Sequence, residues 1–98
     1  MASFFCMAYF VYILFSESLN VFYKGQTKDL DNRILRHNMK LEKSTSGGAP
    51  WKLIWHTEKQ SRAAAVILER KLKNLSKKRL TEFILKHTQT DASPDDPD

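Results

Sequence analysis

The chain opens on an apolar run. Every residue from Tyr9 to Phe15 (YFVYILF) is aliphatic or aromatic; the turn-like SESLN follows, and Val21 to Tyr23 resumes an aromatic, β-branched segment. Two such runs around a polar turn predict an antiparallel β-hairpin. Gly25 lies just beyond, where the missing Cβ permits a bulge or a close backbone approach. Asp29, with Thr27 as the alternative, suits the N-cap of a helix. Leu30, Ile34 and Leu41, supported by His37 or Asn38, recur at helical spacing and predict that helix over Leu30 to Glu42. Arg33 and His37, four residues apart, share one of its flanks. The stretch STSGGAP reads as a flexible loop closed by Pro50. WKLIWHT, from Trp51 to Thr57, predicts a third strand with Trp51, Leu53 and Trp55 on one side.

A second helix is expected from Arg62 to about Leu75, with Ser61 as its cap and Ala64, Leu68, Leu72 and Leu75 as an apolar stripe. Glu69 borders this stripe, placed to emerge at the rim of a core. Lys77, Lys78 and Arg79 lead into a short final helix over Leu80 to His87. Residues 89–98 hold two prolines and four aspartates, so the chain divides into a folded body, 1–88, and an acidic tail expected to be disordered.

Length and composition narrow the class. Ninety-eight residues, 42% hydrophobic and 28% charged, suit one small α+β domain with a single core. The lone Cys6 cannot form an internal disulfide, which favours a reducing, cytoplasmic setting. The apolar segment Phe4 to Phe15 has 12 residues with no Lys or Arg before it. A membrane span needs about 20, so a buried strand with a hydrophobic lead-in is expected instead, and no membrane partner. The net charge of +5 understates the basicity of the body, because four of the 11 acidic residues lie in the last eight positions. Residues 1–90 carry +9, a field that attracts polyanions.

Dinucleotide-binding, phosphate-loop, zincin and zinc-finger spacings are absent, and His37, His56 and His87 lack the spacing of a metal cluster. Two tyrosines on paired strands, an arginine one helix later and a glutamate on the helix after strand three remain. In that order and spacing the chain resembles the GIY-YIG nuclease family, over roughly residues 9 to 87. Val11-Tyr12-Ile13 stands at the first signature tripeptide and Tyr23-Lys24-Gly25 at the second. LDNRILRHN supplies Arg33 and His37, and AAAVILERKLK supplies Glu69. The first glycine of the family name is Val11 here, and the isoleucine of the second tripeptide is Lys24. Neither replaces a group that moves a proton or binds a metal.

The resemblance implies a three-stranded antiparallel sheet flanked by helices and metal-dependent hydrolysis of phosphodiester bonds in DNA. Glu69 is implied to bind one Mg²⁺ or Mn²⁺, with the scissile phosphate and water completing the ligand set. Arg33 is implied to clamp the phosphate through its planar fork. His37 either orients a tyrosine or water or helps deprotonate it. Tyr23 is favoured as base or proton relay with Tyr12 positioning it, and the reverse assignment stays open. Lys24, Lys28, Arg36, Lys40, Lys43 and Lys73 are expected to meet backbone phosphates, which positions substrate without reading sequence. Branched, nicked or single-stranded DNA is the expected partner class, RNA being a further option. A binding module with the same basic face is the competing reading.

Overall fold

The computed structural model describes residues 8–89. The elements run β1 (Tyr9–Ser16), β2 (Val21–Thr27), α1 (Leu30–Asn38), a 3-10 helix (Lys43–Gly48), β3 (Trp51–Lys59), α2 (Arg62–Lys73) and α3 (Lys77–Gln89). The fold is α+β: one antiparallel sheet, ordered β2-β1-β3, with helices on both faces. Because β1 is the central strand, its side chains are covered on both sides. Val11, Tyr12, Ile13 and Leu14 are all buried, which explains a continuous apolar run where a half-exposed strand would alternate.

The pleat sends alternate residues to two cores. Val11 and Ile13 join Trp55 and the α2 and α3 residues Ala65, Leu68, Leu72, Leu80 and Phe83. Tyr12 and Leu14 join Trp51 on the other face, against which Tyr23, Leu30 and Ile34 pack. The hairpin turns at Glu17 to Asn20, where Asn20 adopts φ 57°, a left-handed conformation that asparagine tolerates.

Several expectations need correction. Helix α1 stops at Asn38 because Lys40 turns left-handed at φ 62°. The N–H of Lys40 then donates to the His37 carbonyl and that of Leu41 to the Arg36 carbonyl, a Schellman ending with lysine where glycine is usual. Leu41 therefore leaves the apolar stripe and is exposed. The STSGGAP segment is not a flexible loop: it forms most of the 3-10 helix, with Thr45 and Gly48 buried. Trp51 and Trp55 lie on opposite faces, because the β1–β3 register shifts between Ile13 and Leu14 and leaves an extra residue on β3. Strand β2 extends four residues beyond Tyr23, while Asp29 caps α1 as expected, accepting from the Asn32 N–H at 3.1 Å. Helix α3 begins earlier than expected, since Ser76 caps it, and takes in Lys77, Lys78 and Arg79. Gln89 closes that helix; the rest of the proposed tail, 90–98, and Cys6 lie outside the described residues.

Candidate active site

The second core presents a row of polar groups. The Tyr12 hydroxyl lies 3.1 Å from His37 Nε2, and His37 Nδ1 lies 2.7 Å from Thr45 Oγ1. The Thr45 hydroxyl in turn reaches the Glu42 carbonyl at 3.4 Å. A carbonyl only accepts, so one assignment gives every proton a partner: Tyr12 O–H donates to Nε2, Nδ1–H donates to Thr45, and Thr45 O–H donates to Glu42. Tyr12, His37 and Thr45 are each almost fully buried, where an unpaired polar group would be costly.

Two further bonds fix the frame. The Trp51 indole N–H donates to the Thr45 carbonyl at 2.7 Å, and the Asn38 side chain both donates to the Trp51 carbonyl and accepts from its N–H. The end of α1, the 3-10 helix and the start of β3 are thus locked together behind His37. Tyr23 packs its ring on His37, with centroids 5.0 Å apart, and stays partly exposed. Its hydroxyl makes no hydrogen bond among the described residues.

Gly25 pairs with Tyr12 across the hairpin. A Cβ there would lie 2.6 Å from the Tyr12 hydroxyl and 3.1 Å from the Tyr23 ring. Close approach is therefore what this glycine permits, and the bulge considered for it is not formed: the β1–β2 register runs through without a shift.

Charge converges on the same phenol. Burial pushes the Tyr12 phenol well above its ordinary range; Tyr23, Glu69 and Glu42 push the same way, and Arg33 opposes them. Arg33 on α1 and Glu69 on α2 approach from opposite faces of the sheet, yet both fields reach Tyr12. Burial likewise lowers His37 below the usual histidine value, with Arg33 and Arg36 adding to the shift and Glu42 opposing it, so the ring is neutral near pH 7. A hydrogen bond from Arg36 at 2.7 Å is the main reason the Glu42 carboxyl is held below its usual range. Arg33 is looser, 4.0 Å from the same carboxylate and 38% exposed.

Glu69 reaches the edge strand. Its Oε1 accepts from Gln26 Nε2 at 3.0 Å and its Oε2 pairs with Lys73 at 3.1 Å, while the side chain keeps 14% exposure. Among the described residues no three His, Cys, Asp or Glu side chains gather to hold an ion. Each Glu69 oxygen has one partner and keeps a further lone pair, which suits a hard divalent cation that takes its remaining ligands from phosphate and water.

The basic residues scatter. Lys73 sits beside Glu69, and Arg36 is engaged by Glu42. Lys28 lies over the Tyr9 ring at 5.5 Å, and Lys40 and Lys43 are exposed beyond α1. Lys24 does not face the tyrosines. Strand alternation turns it to the other face, into a depression shared with Leu75 and Lys77. Gln26, Glu42 and Thr45 were not anticipated. Alternation along a longer β2 would have placed Gln26 on the Glu69 side, but nothing in the sequence marks Thr45.

Comparison with known proteins identifies the family and the fold. The GIY-YIG catalytic domain model matches residues 8–82. The chain is similar to the UPF0213 protein BH0048 from Bacillus halodurans, solved by solution NMR, at 29% identity and a TM-score of 0.57, covering 86% of this chain and 89% of that one. No curated protein matches significantly.

Proposed function

The chain belongs to the GIY-YIG family, and from that premise we propose that it is a divalent-metal-dependent endonuclease that hydrolyses phosphodiester bonds in DNA. The observation that carries this reading is the buried Tyr12–His37–Thr45 chain, with the Tyr23 ring packed on His37 and its hydroxyl uncommitted among the described residues. From the two sides of the sheet, Arg33 and Glu69 both bear electrostatically on Tyr12. The two do not pair with each other. Instead Arg33 has only a distant carboxylate neighbour, and Glu69 is held by an amide and a lysine.

Each residue has a role that its surroundings support. The loosely held Arg33 is free to swing its guanidinium onto the non-bridging phosphate oxygens, where two parallel hydrogen bonds strengthen as charge builds in the transition state. Tyr23, partly exposed and with an uncommitted hydroxyl, accepts the proton of the attacking water as it passes its own to a phosphate oxygen. The water oxygen bonds to phosphorus and the bond to the 3′ oxygen breaks. Tyr12 is a positioning residue: its raised pKa keeps it a neutral donor to His37, which holds the Tyr23 ring from behind. Glu69 is the residue to hold the Mg²⁺ or Mn²⁺ ion. When bound, the ion supplies positive charge to the phosphate and the departing oxygen.

No appended base-reading element is present among the described residues, so selectivity is assigned to DNA shape, such as branches, nicks and single-stranded regions. The test is cleavage of branched, nicked, duplex and single-stranded DNA with Mg²⁺ or Mn²⁺ by wild type and Glu69→Ala. Cleavage that disappears in the variant is the expected result. Tight binding without cleavage by wild type would reassign the chain as a binding module, and equal cleavage by both would remove Glu69 from the site.

A further inference from the structure

Strand β2 is an edge strand, and its residues facing α2 form a row: Phe22, Lys24 and Gln26. Helix α2 packs along this strand and sets Glu69 and Lys73, one turn apart, beside the row. Further along, Lys24 and Lys77 line one depression of about 150 Å³ between the hairpin and α3. Its other walls are Asn20, Val21, Phe22, Leu75 and Leu80, so it contains no carboxylate. Lys77 is held there by donating to the Asn20 carbonyl at 2.9 Å, and Lys24 has no acidic partner among the described residues.

A single lysine stem lying over apolar surface is ordinary. Two lysines lining one small depression bring like charges together, and the Asn20 carbonyl engages only the Lys77 ammonium. The repulsion is compounded by the first turn of α3, which carries Lys77, Lys78 and Arg79 and no acid, although the positive end of a helix favours the opposite charge. The Asn20 carbonyl accounts for Lys77 but leaves Lys24 unmatched, and a bound polyanion matches both.

We propose that the outer edge of β2 is a track for a DNA backbone, running from Glu69 past Lys73 and Lys24 to Lys77. It rests on the endonuclease reading and extends it, because it says which way the strand leaves the scissile phosphate. Phosphate contacts of this kind orient the substrate and carry no sequence information.

The salt dependence of binding tests the track. A labelled branched duplex is titrated with wild type, with the double variant Lys24→Gln, Lys77→Gln, and with the double variant Lys24→Arg, Lys77→Arg, all without divalent ions. Lys52→Gln serves as control, because Lys52 lies on β3, at the opposite edge of the sheet, and pairs with Glu17 of the hairpin turn. Each lost phosphate contact lowers the slope of log affinity against log salt by about 0.9. The glutamine pair should therefore lower it by close to 2, and the arginine pair and the control should leave it at the wild-type value. A wild-type slope in the glutamine pair, or a reduced slope in the arginine pair, overturns the track while leaving the endonuclease reading intact. Failure of wild type to bind even at low salt overturns the reading beneath it.

Discussion

The Tyr12 hydroxyl rests directly on Gly25, so that a methyl group on the glycine would lie 2.6 Å from the oxygen. The two residues are cross-strand partners, and the neighbouring Tyr23 ring closes the remaining space. Nothing can yield cheaply, because Tyr12 is held by His37 and buried on all sides.

Gly25→Ala should therefore displace the Tyr12 phenol. Overpacking of this kind costs about 1–3 kcal/mol, and a misplaced phenol should slow cleavage by about 10-fold or more. Urea denaturation and single-turnover cleavage measure the two effects. Wild-type stability together with a wild-type rate would mean that the phenol can move aside and that its position is unimportant.

The two tyrosines should separate by what they lose. Tyr23→Phe removes an uncommitted hydroxyl, so it should leave stability nearly unchanged and lower kcat by about 10² to 10⁴-fold, the range for a lost proton-transfer group. Tyr12→Phe takes away the partner of a buried histidine nitrogen, a change that costs about 1–3 kcal/mol, with a smaller loss in rate. Measured kcat and unfolding free energy for both variants decide the matter. The reverse ordering would transfer the proton relay to Tyr12.

Much of this was legible in the residues, for reasons that can be named. A strand covered on both faces has no way to hide its apolar character, so β1 stands out in the sequence. Tyr12, Tyr23, Arg33, His37 and Glu69 are marked by motif spacing, and all but the last lie on elements joined by short turns. The missed features depend on contacts distant in sequence or on unusual backbone. Lys40 ends α1 in a conformation that lysine seldom adopts, so no breaker announced the stop. One extra residue in β3 moved Trp51 to the opposite face from Trp55, and periodicity is blind to such a shift. Thr45 sits in a segment of small polar residues, and its importance comes only from His37 folding onto it.

Arg33 and Arg36 share Glu42 but differ in how firmly it holds them. Arg36 makes the short contact and is committed to it, whereas Arg33 can leave at little cost. Arg33→Ala should lower kcat by at least about 10²-fold, the loss typical of a transition-state charge clamp. Arg33→Lys should restore little, since an ammonium lacks the planar fork. Arg36→Ala should cost about 10-fold or less, through a released Glu42. Equal losses in the two alanine variants would argue that the cluster supplies only general positive charge.

His37 should set the acid limit of stability near neutrality. Burial depresses its folded-state pKa, so the unfolded chain binds a proton more readily than the native one. Its stabilising contribution is complete above the unfolded value of about 6.5 and is lost as pH falls from there toward the depressed native value. Glu42 acts in the same direction, but its window begins near the ordinary carboxylate range and lies at lower pH. Unfolding free energies measured from pH 7.5 downward should therefore decline first through the histidine range, and His37→Gln should remove that first decline while leaving the carboxylate one. The neutral ring is also what accepts the Tyr12 proton, so protonation breaks the Tyr12–His37–Thr45 chain at its centre, and cleavage should fall over the same interval. A wild-type protein equally stable on both sides of pH 6.5, or one whose decline persists in His37→Gln, would show that this histidine does not carry the acid sensitivity.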